Sequence, residues 1–114
     1  MKWLLVLVLV PTLVLAADPK KKEEAKPDPA AVAAGAKLYT EKTCTACHGK
    51  DAKTPIMPDY PKLAGQNAGY AERQMLDIKS GARANGNTAA MKGIMPLVSE
   101  AEIKSLAVYL SSLQ

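Results

Sequence analysis

The sequence predicts a small all-α domain that is completed by a component other than protein. Apolar residues recur at helical spacing in three segments, and no segment alternates between apolar and polar residues in the manner of a strand. Residues 18–114 hold only 24 apolar side chains larger than alanine, and the chain has no Phe. A domain of this size is marginally stable even with an ordinary core, so we expect a metal, disulfide, partner or prosthetic group to complete it.

The N-terminal segment predicts export from the cytoplasm. Lys2 precedes an apolar run over residues 3–17, which contains Pro11 and ends in Ala16 and Ala17. This is the pattern of a secretory signal peptide, which we place at residues 1–16, with Ala17 as the next cleavage candidate. A membrane anchor is the alternative, but the run is shorter than the roughly 20 residues that a spanning helix needs. We expect no stable membrane insertion after cleavage.

Residues 17–29 predict a flexible linker that precedes the domain at residues 30–114. Four lysines are balanced by four acidic residues, and Pro19, Pro27 and Pro29 interrupt any helix. With no large apolar side chain the segment cannot bury itself. The acidic residues also weaken the alternative that the lysines bind an acidic membrane surface.

Two helices are predicted in the first part of the domain. Asp28 is a capping residue with Pro29 in the first turn, and four following residues share a face: Val32, Gly35, Ala36 and Tyr39. The second helix is predicted over residues 67–80 and ends at Gly81. Its shared face comprises Tyr70, Ala71, Met75 and Ile78, and Leu76 lies off that face.

The last helix has the clearest start. Ser99 and Glu102 form a capping box, and Val98 and Ile103 can pack across it as a hydrophobic staple. An apolar stripe then follows at helical spacing: Ile103, Leu106, Ala107, Leu110 and Leu113. The predicted fold is therefore three to four helices.

The chemistry of the chain is concentrated in Cys44, Cys47 and His48. Cys-x-x-Cys-His is the attachment sequence of c-type haem. Two thiols three residues apart on a helical turn can each add to one haem vinyl group, and the adjacent His can then bind the iron. We therefore predict one haem c, attached through Cys44 and Cys47, with the helices wrapped around it.

Other interpretations of these residues have less support. A thioredoxin-like redox pair also uses Cys-x-x-Cys, but the expected alternation of strands and helices is missing from the pattern. A structural zinc site needs four protein ligands, and the chain has only two Cys and one His. A simple disulfide leaves the adjacent His unexplained.

From these residues the chain resembles a class I c-type cytochrome, and in particular one half of the two-haem cytochromes c4. The resemblance covers about residues 35–113. Gly35 and Tyr39 match the first helix of that family, and Leu106 and Tyr109 match its last helix, which crosses the first closely. Two further stretches resemble cytochrome c4, residues 60–66 (YPKLAGQ) and residues 74–81 (QMLDIKSG). This chain departs from that family in having one haem motif rather than two.

The resemblance implies a role for each site residue. His48 is the proximal iron ligand, and the Pro61 carbonyl accepts a hydrogen bond from its other ring nitrogen. Leu63 packs against the haem, together with Tyr39, Tyr70, Ile78, Leu106 and Tyr109. The second iron ligand is a methionine sulfur.

The sequence leaves two methionines as candidates for this ligand. Met57 lies too near the haem motif to reach the far face, and Met75 belongs to an amphipathic helix where core packing is its expected role. Met91 and Met95 remain, and Met95 has the Met-Pro pairing common in small cytochromes. Cytochromes c4 place the ligand eight residues before the capping Ser, which favours Met91. Met95 is then expected to pack against the haem edge.

The expected function is single-electron transfer in the periplasm rather than enzyme catalysis. With His48 and Met91 as ligands the iron has no vacant position for a substrate. The expected partners are redox proteins: a membrane complex, an oxidase or a reductase. The alternative is a haem subunit of a periplasmic dehydrogenase complex. We expect no nucleic-acid partner, since the calculated pI of about 9.1 is the only feature in its favour.

Two features of the surface stay open on sequence grounds. Four lysines flank the segments expected to border the haem, Lys50, Lys53, Lys62 and Lys92. They either steer docking to an acidic partner or simply keep the protein soluble. Arg83 is either a partner of a haem propionate, by analogy, or a solvated side chain.

Overall fold

The computed structural model describes residues 26–114, which contain five α-helices and one 3₁₀ helix. The α-helices are α1 (Pro29–Glu41), α2 (Cys44–His48), α3 (Ala68–Ser80), α4 (Thr88–Lys92) and α5 (Glu100–Ser112), and the 3₁₀ helix is Met95–Leu97. Residues 26–114 contain no strand, which confirms the all-α prediction. The predicted signal peptide and most of the predicted linker lie outside the described residues.

Each of the three long helices begins after a capping side chain, and two of these caps, Asp28 and Ser99, were predicted. Asp28 accepts a hydrogen bond from the Ala30 amide at 3.2 Å. Asn67 accepts one from the Tyr70 amide at 3.0 Å, so Asn67 precedes α3 as its cap rather than belonging to it. At the start of α5 both bonds of the Ser99–Glu102 capping box are present, at 3.2 and 2.9 Å. These bonds satisfy amide donors that a helix start leaves unpaired.

Helices α1 and α5 cross closely because Gly35 has no side chain. A Cβ at Gly35 would overlap the Ser105 carbonyl oxygen and the Tyr109 Cβ, both on α5. The rings of Tyr39 and Tyr109 pack nearby with centroids 5.6 Å apart. Helix α5 also packs against α3, so it lies between the two other long helices.

The core is formed by side chains from α1, α3, α5 and the 3₁₀ helix. Its most deeply buried large side chains are Tyr39, Met95, Val98 and Ile103, each at most 2% exposed. Val98 and Ile103 are the residues predicted to form the hydrophobic staple. Leu76, which lies off the predicted face of α3, is half-buried against the same cluster.

Tyr70 does not join this core. It was predicted to share the buried face of α3, but it is 53% exposed. Its position in the first turn of α3 places it beside a cavity rather than beneath α5. No helix among the described residues is both long enough and apolar enough to cross a membrane.

Candidate haem-binding site

Helix α2 carries both cysteines and the histidine on little more than one turn. Thr43 precedes it in the left-handed region, with φ 61°, and Gly49 ends it with φ 81°. A Cβ at Gly49 would overlap the Thr54 carbonyl oxygen, so the chain needs glycine to turn away directly after His48. The Ile56 amide then donates to the Cys47 carbonyl at 3.0 Å, which folds the next loop back against α2.

A cavity of about 690 Å³ opens beside α2. Its lining is mostly apolar and includes side chains from α1, α3 and α5 as well as from α2. The six residues predicted as haem-binding residues all line it: Cys44, Cys47, His48, Pro61, Leu63 and Met91. Of the other side chains predicted to pack around the haem, Tyr109 does not line the cavity, whereas four do: Tyr39, Tyr70, Ile78 and Leu106. The structure thus brings together residues that are up to 47 positions apart in the sequence.

His48 and Met91 lie on separate walls of this cavity. Both side chains line it, but α2 makes no contact with α4 among the described elements. Helix α2 packs against α1, whereas α4 packs against α3 and the 3₁₀ helix. The arrangement therefore offers to one cavity an imidazole from α2 and a thioether from α4, two helices that do not contact each other.

His48 is buried in a state suited to ligation. Its exposed fraction is 8%, and burial lowers the pKa of its imidazole, which favours the neutral form that can donate a lone pair to a metal. The Pro61 backbone carbonyl acts in the opposite direction and raises that pKa. Nδ1 is buried and has no hydrogen-bond partner of ordinary geometry among the described residues. The predicted bond from His48 to the Pro61 carbonyl therefore stays a prediction.

Cys44 and Cys47 are not joined in a disulfide, and both are half-buried. Burial raises the pKa of the Cys44 thiol, which opposes the thiolate character that redox-active cysteines depend on. Among residues 26–114 no three His, Cys, Asp or Glu side chains are grouped so that they could hold a metal ion. The fold of the described residues, without a strand, gives no support to a thioredoxin-like pair.

The four methionines of the described segment differ in their surroundings. Met57 is 47% exposed and does not line the cavity. Met95 lines it but is 2% exposed, and it belongs to the core. Met75 and Met91 are both half-buried and line the cavity, Met75 from the middle of α3 and Met91 from α4.

Several cavity residues were not assigned a role from the sequence, among them Thr88 and Gln74. Thr88 is 6% exposed and lines the cavity three residues before Met91, so both lie on one face of α4. The three-residue spacing of Thr88 and Met91 could have indicated a shared helix face, but a helix of five residues is too short to show a periodic pattern. The Gln74 side chain also lines the cavity and accepts a hydrogen bond from Arg83 Nη1 at 2.9 Å. Arg83 is thus half-buried at the cavity, and its contact with a propionate stays a prediction.

The family model for cytochrome c matches residues 32–114. The chain belongs to the cytochrome c family. Its relatives include cytochrome c4 of Stutzerimonas stutzeri, 33% identical over 94 residues that cover 75% of this chain and 45% of that protein. Cytochrome c-554(548) of Halomonas halodenitrificans is 40% identical over 70 residues, which cover 61% of this chain and 83% of that protein.

Solved structures agree with this membership. Reduced recombinant cytochrome c4 from Pseudomonas stutzeri matches with a TM-score of 0.68 and 32% identity, covering 77% of this chain and 50% of that chain. The chain spans about half the length of the cytochromes c4 that it matches. This confirms the predicted resemblance to one half of a cytochrome c4.

As a cytochrome c, the chain carries covalently attached haem c through Cys44 and Cys47. The residues present fit that group. The cavity is lined mainly by apolar side chains, and both thiols and the imidazole lie along one wall of it. A large aromatic ring system is also the component that the small apolar complement of the sequence lacks.

Proposed function

We propose that this cytochrome c is a monohaem electron carrier of the periplasm, with His48 and Met91 as its two axial ligands. The observation that carries the proposal is the placement of an imidazole and a methionine side chain on separate walls of one apolar cavity. Haem c supplies a one-electron iron couple when it is bound. His48 and Met91 would both be bound to the iron, which would leave no position for a substrate, so the chain would transfer electrons rather than atoms.

The residues around the haem affect its reduction potential. A methionine sulfur is a soft, neutral ligand that favours the reduced iron and raises the potential. The apolar side chains of Ile78, Leu106 and Leu110 line the cavity and make it a site of low polarity. A site of low polarity disfavours the extra positive charge of the oxidised state, so it acts in the same direction as the sulfur.

Met91 is supported over Met95 by its surroundings. Met95 is almost fully buried in the core, where it packs with residues of α5. Met95 also lines the cavity, but it serves as a core residue, and deleting a buried Met side chain typically costs about 2–5 kcal/mol. Met91 is half-buried and lines the cavity from α4.

The test compares Met91→Ala with Met95→Ala in the haem-loaded protein. A methionine bound to oxidised haem iron gives a far-red sulfur-to-iron absorption band. We expect Met91→Ala to lose this band and Met95→Ala to keep it, although Met95→Ala unfolds at a lower denaturant concentration. Loss of the band in Met95→Ala alone would overturn the assignment. Absence of the band from the wild-type protein would overturn the His/Met proposal itself.

Docking to an acidic redox partner is supported by the surface charge. The chain has a formal net charge of +4, and the four lysines predicted to border the haem, Lys50, Lys53, Lys62 and Lys92, are all exposed. Two large apolar side chains in the same part of the chain, Ile56 and Met57, are 64% and 47% exposed. Exposed apolar side chains together with exposed basic ones suit a transient complex with a complementary surface.

A second candidate is a haem subunit of a periplasmic dehydrogenase complex. It is favoured by a relative named "thiosulfate dehydrogenase electron acceptor" in Stutzerimonas stutzeri, which is 35% identical over 91 residues that cover 74% of this chain and 41% of that protein. Purification from a periplasmic extract at low salt separates the two candidates. A mobile carrier elutes at the mass of one chain with its haem, whereas a subunit elutes in fixed stoichiometry with a catalytic chain.

A further inference from the structure

Lys79 connects the end of α3 to the turn that follows the Met91 segment. The residue lies in the last turn of α3 and is half-buried. Its Nζ donates a hydrogen bond to the Met95 carbonyl at 3.2 Å and a second, short one to the Val98 carbonyl. These two carbonyls lie at the start and just beyond the end of the 3₁₀ helix, so one ammonium group spans that whole turn.

A second lysine reaches the same turn from α1. Lys42, the C-cap of α1, donates from Nζ to the Leu97 carbonyl at 2.8 Å and forms an ion pair with Glu102 at 3.3 Å. Three carbonyls of one four-residue stretch are thus bound by lysine side chains. Lys42 also has a carboxylate partner, whereas the Lys79 ammonium has only carbonyl partners among the described residues.

The segment that carries Met91 depends on such an anchor. Helix α4 has five residues, too few for a helix to be stable by itself in water. Its own cap, Asn87, makes no capping hydrogen bond. Thr88 and Met91 face the cavity, so the segment has little protein to pack against on that side. Its position is therefore set largely at the turn that Lys79 fixes, four residues after Met91.

We propose that Lys79 is a positioning residue that holds the Met91 sulfur on the iron. The inference rests on the proposed His48/Met91 ligation. The Lys79 ammonium is partly buried, and hydrogen bonds to backbone carbonyls compensate for its lost hydration. Because a movement of the turn would break these bonds, they hold the turn in place. Without the ammonium the turn is free to shift, and Met91 spends a larger fraction of its time away from the iron of the oxidised protein.

The test measures imidazole binding to the oxidised, haem-loaded protein. Imidazole reaches the iron only when Met91 has left it, so its apparent affinity is proportional to the fraction of detached protein. We expect Lys79→Met, which keeps the length of the side chain and removes the donors, to bind imidazole about tenfold more tightly than wild type. Lys79→Arg keeps a charged donor and is expected to stay within about twofold of wild type.

The matched control is Lys104→Met. Lys104 is exposed on α5 and makes no hydrogen bond or ion pair with the described residues, so its removal changes the net charge by the same amount. It is expected to bind imidazole as wild type does. If Lys79→Met proves unfolded, Lys79→Gln replaces it, with a weaker neutral donor and an expected affinity between those of wild type and the Met variant.

Two outcomes would overturn the proposal, and neither coincides with failure of the proposed function. An affinity in Lys79→Met, or in its Gln replacement, equal to wild type would show that Lys79 does not position Met91. An equal increase in Lys104→Met would show that the effect is one of net charge alone. Both conclusions require a far-red sulfur-to-iron band in the wild-type protein, and its absence would instead reject the His/Met ligation.

Discussion

Ala52 has a backbone conformation that is sterically unfavourable for any residue with a side chain. Its φ is 56°, in the left-handed region, and its exposed fraction is 0%. Its carbonyl accepts hydrogen bonds from the amides of Leu63 and Ala64, at 2.9 and 3.0 Å. These bonds attach the loop after His48 to the stretch that includes Pro61 and Leu63, so the conformation of Ala52 shapes the wall of the cavity beside the imidazole.

We predict that Ala52→Gly stabilises the haem-loaded protein by about 1 kcal/mol, since glycine adopts this conformation without a steric cost. The free energy of unfolding in guanidinium chloride measures the change. Ala34→Gly is the matched control, because Ala34 is exposed within α1 and glycine there is expected to destabilise by about 1 kcal/mol. Destabilisation by both substitutions would mean that the packing of the buried Ala52 methyl group contributes more to stability than the backbone strain costs.

Site residues differ in how far the sequence could predict them. Cys44, Cys47 and His48 lie within five positions and are of rare types, so their spacing alone indicated haem attachment. Lys79 gave no signal because its partners are backbone carbonyls 16 and 19 residues away, and any residue supplies a carbonyl. Ala52 gave no signal either, because its partners are the backbone amides of Leu63 and Ala64, and any residue other than Pro supplies an amide donor.

At the scale of elements, helix ends were predictable wherever a side chain marks them. Asp28, Asn67 and Ser99 each accept a backbone hydrogen bond at the start of a long helix, and Gly81 ends α3 with φ 86°. Helix α4 and the 3₁₀ helix were not predicted as helices. Each has five residues or fewer, and neither begins with a side-chain cap, so no periodicity or capping pattern distinguishes it from a loop.

The contact between α1 and α5 predicts a strong effect at Gly35. We expect Gly35→Ala to destabilise the protein by about 3 kcal/mol, because the new methyl group would overlap backbone and Cβ atoms of α5 that cannot move without separating the helices. Thermal unfolding followed by far-UV circular dichroism measures it. Gly93→Ala is the control, since its Cβ would lie 3.6 Å from the nearest atom, an ordinary contact. Equal effects of the two would contradict this account of the crossing.

The start of α5 predicts a pH dependence. Chiefly through the Ser99 amide, and to a lesser extent through Lys42, the pKa of Glu102 is held below its ordinary value of 4.5. A carboxylate with a lowered folded-state pKa contributes stability above its unfolded pKa, and that contribution is lost as the pH falls through the folded value. We expect Glu102→Gln to be less stable than wild type at pH 7, with the difference disappearing in acid.

Unfolding by urea over a series of pH values measures this difference. Glu100→Gln is the control, because Glu100 is exposed in the same first turn and is not part of the capping box. It is expected to show a smaller pH dependence. A deficit in Glu102→Gln that persists unchanged at low pH would show that the amide disturbs packing rather than removing a charge.

At the scale of the whole molecule, the domain is arranged around a cavity as well as a core. The core alone contains few large side chains, and 4 of its 11 buried apolar residues are alanine. The cavity draws its lining from all three long helices. This accounts for a composition that is poor in large apolar residues and lacks Phe, since haem c supplies the missing apolar surface.

We therefore predict that the chain has no stable tertiary structure without haem. A Cys44→Ala/Cys47→Ala variant cannot form the two thioethers, and after removal of any loosely bound haem it should unfold in urea without a cooperative transition. The haem-loaded wild-type protein, measured in parallel, should unfold cooperatively. A cooperative transition of the haem-free variant would show that the protein core is sufficient for folding.

The central claim is that Cys44 and Cys47 hold the haem covalently, and one measurement tests it most directly. The purified protein is denatured in acid, extracted with organic solvent, and the absorption spectrum of the protein fraction is recorded as its pyridine complex. We predict that one haem per chain stays with the protein and that its spectrum is that of haem with both vinyl groups saturated. Haem that passes into the solvent, or a protein fraction without haem, would contradict the account.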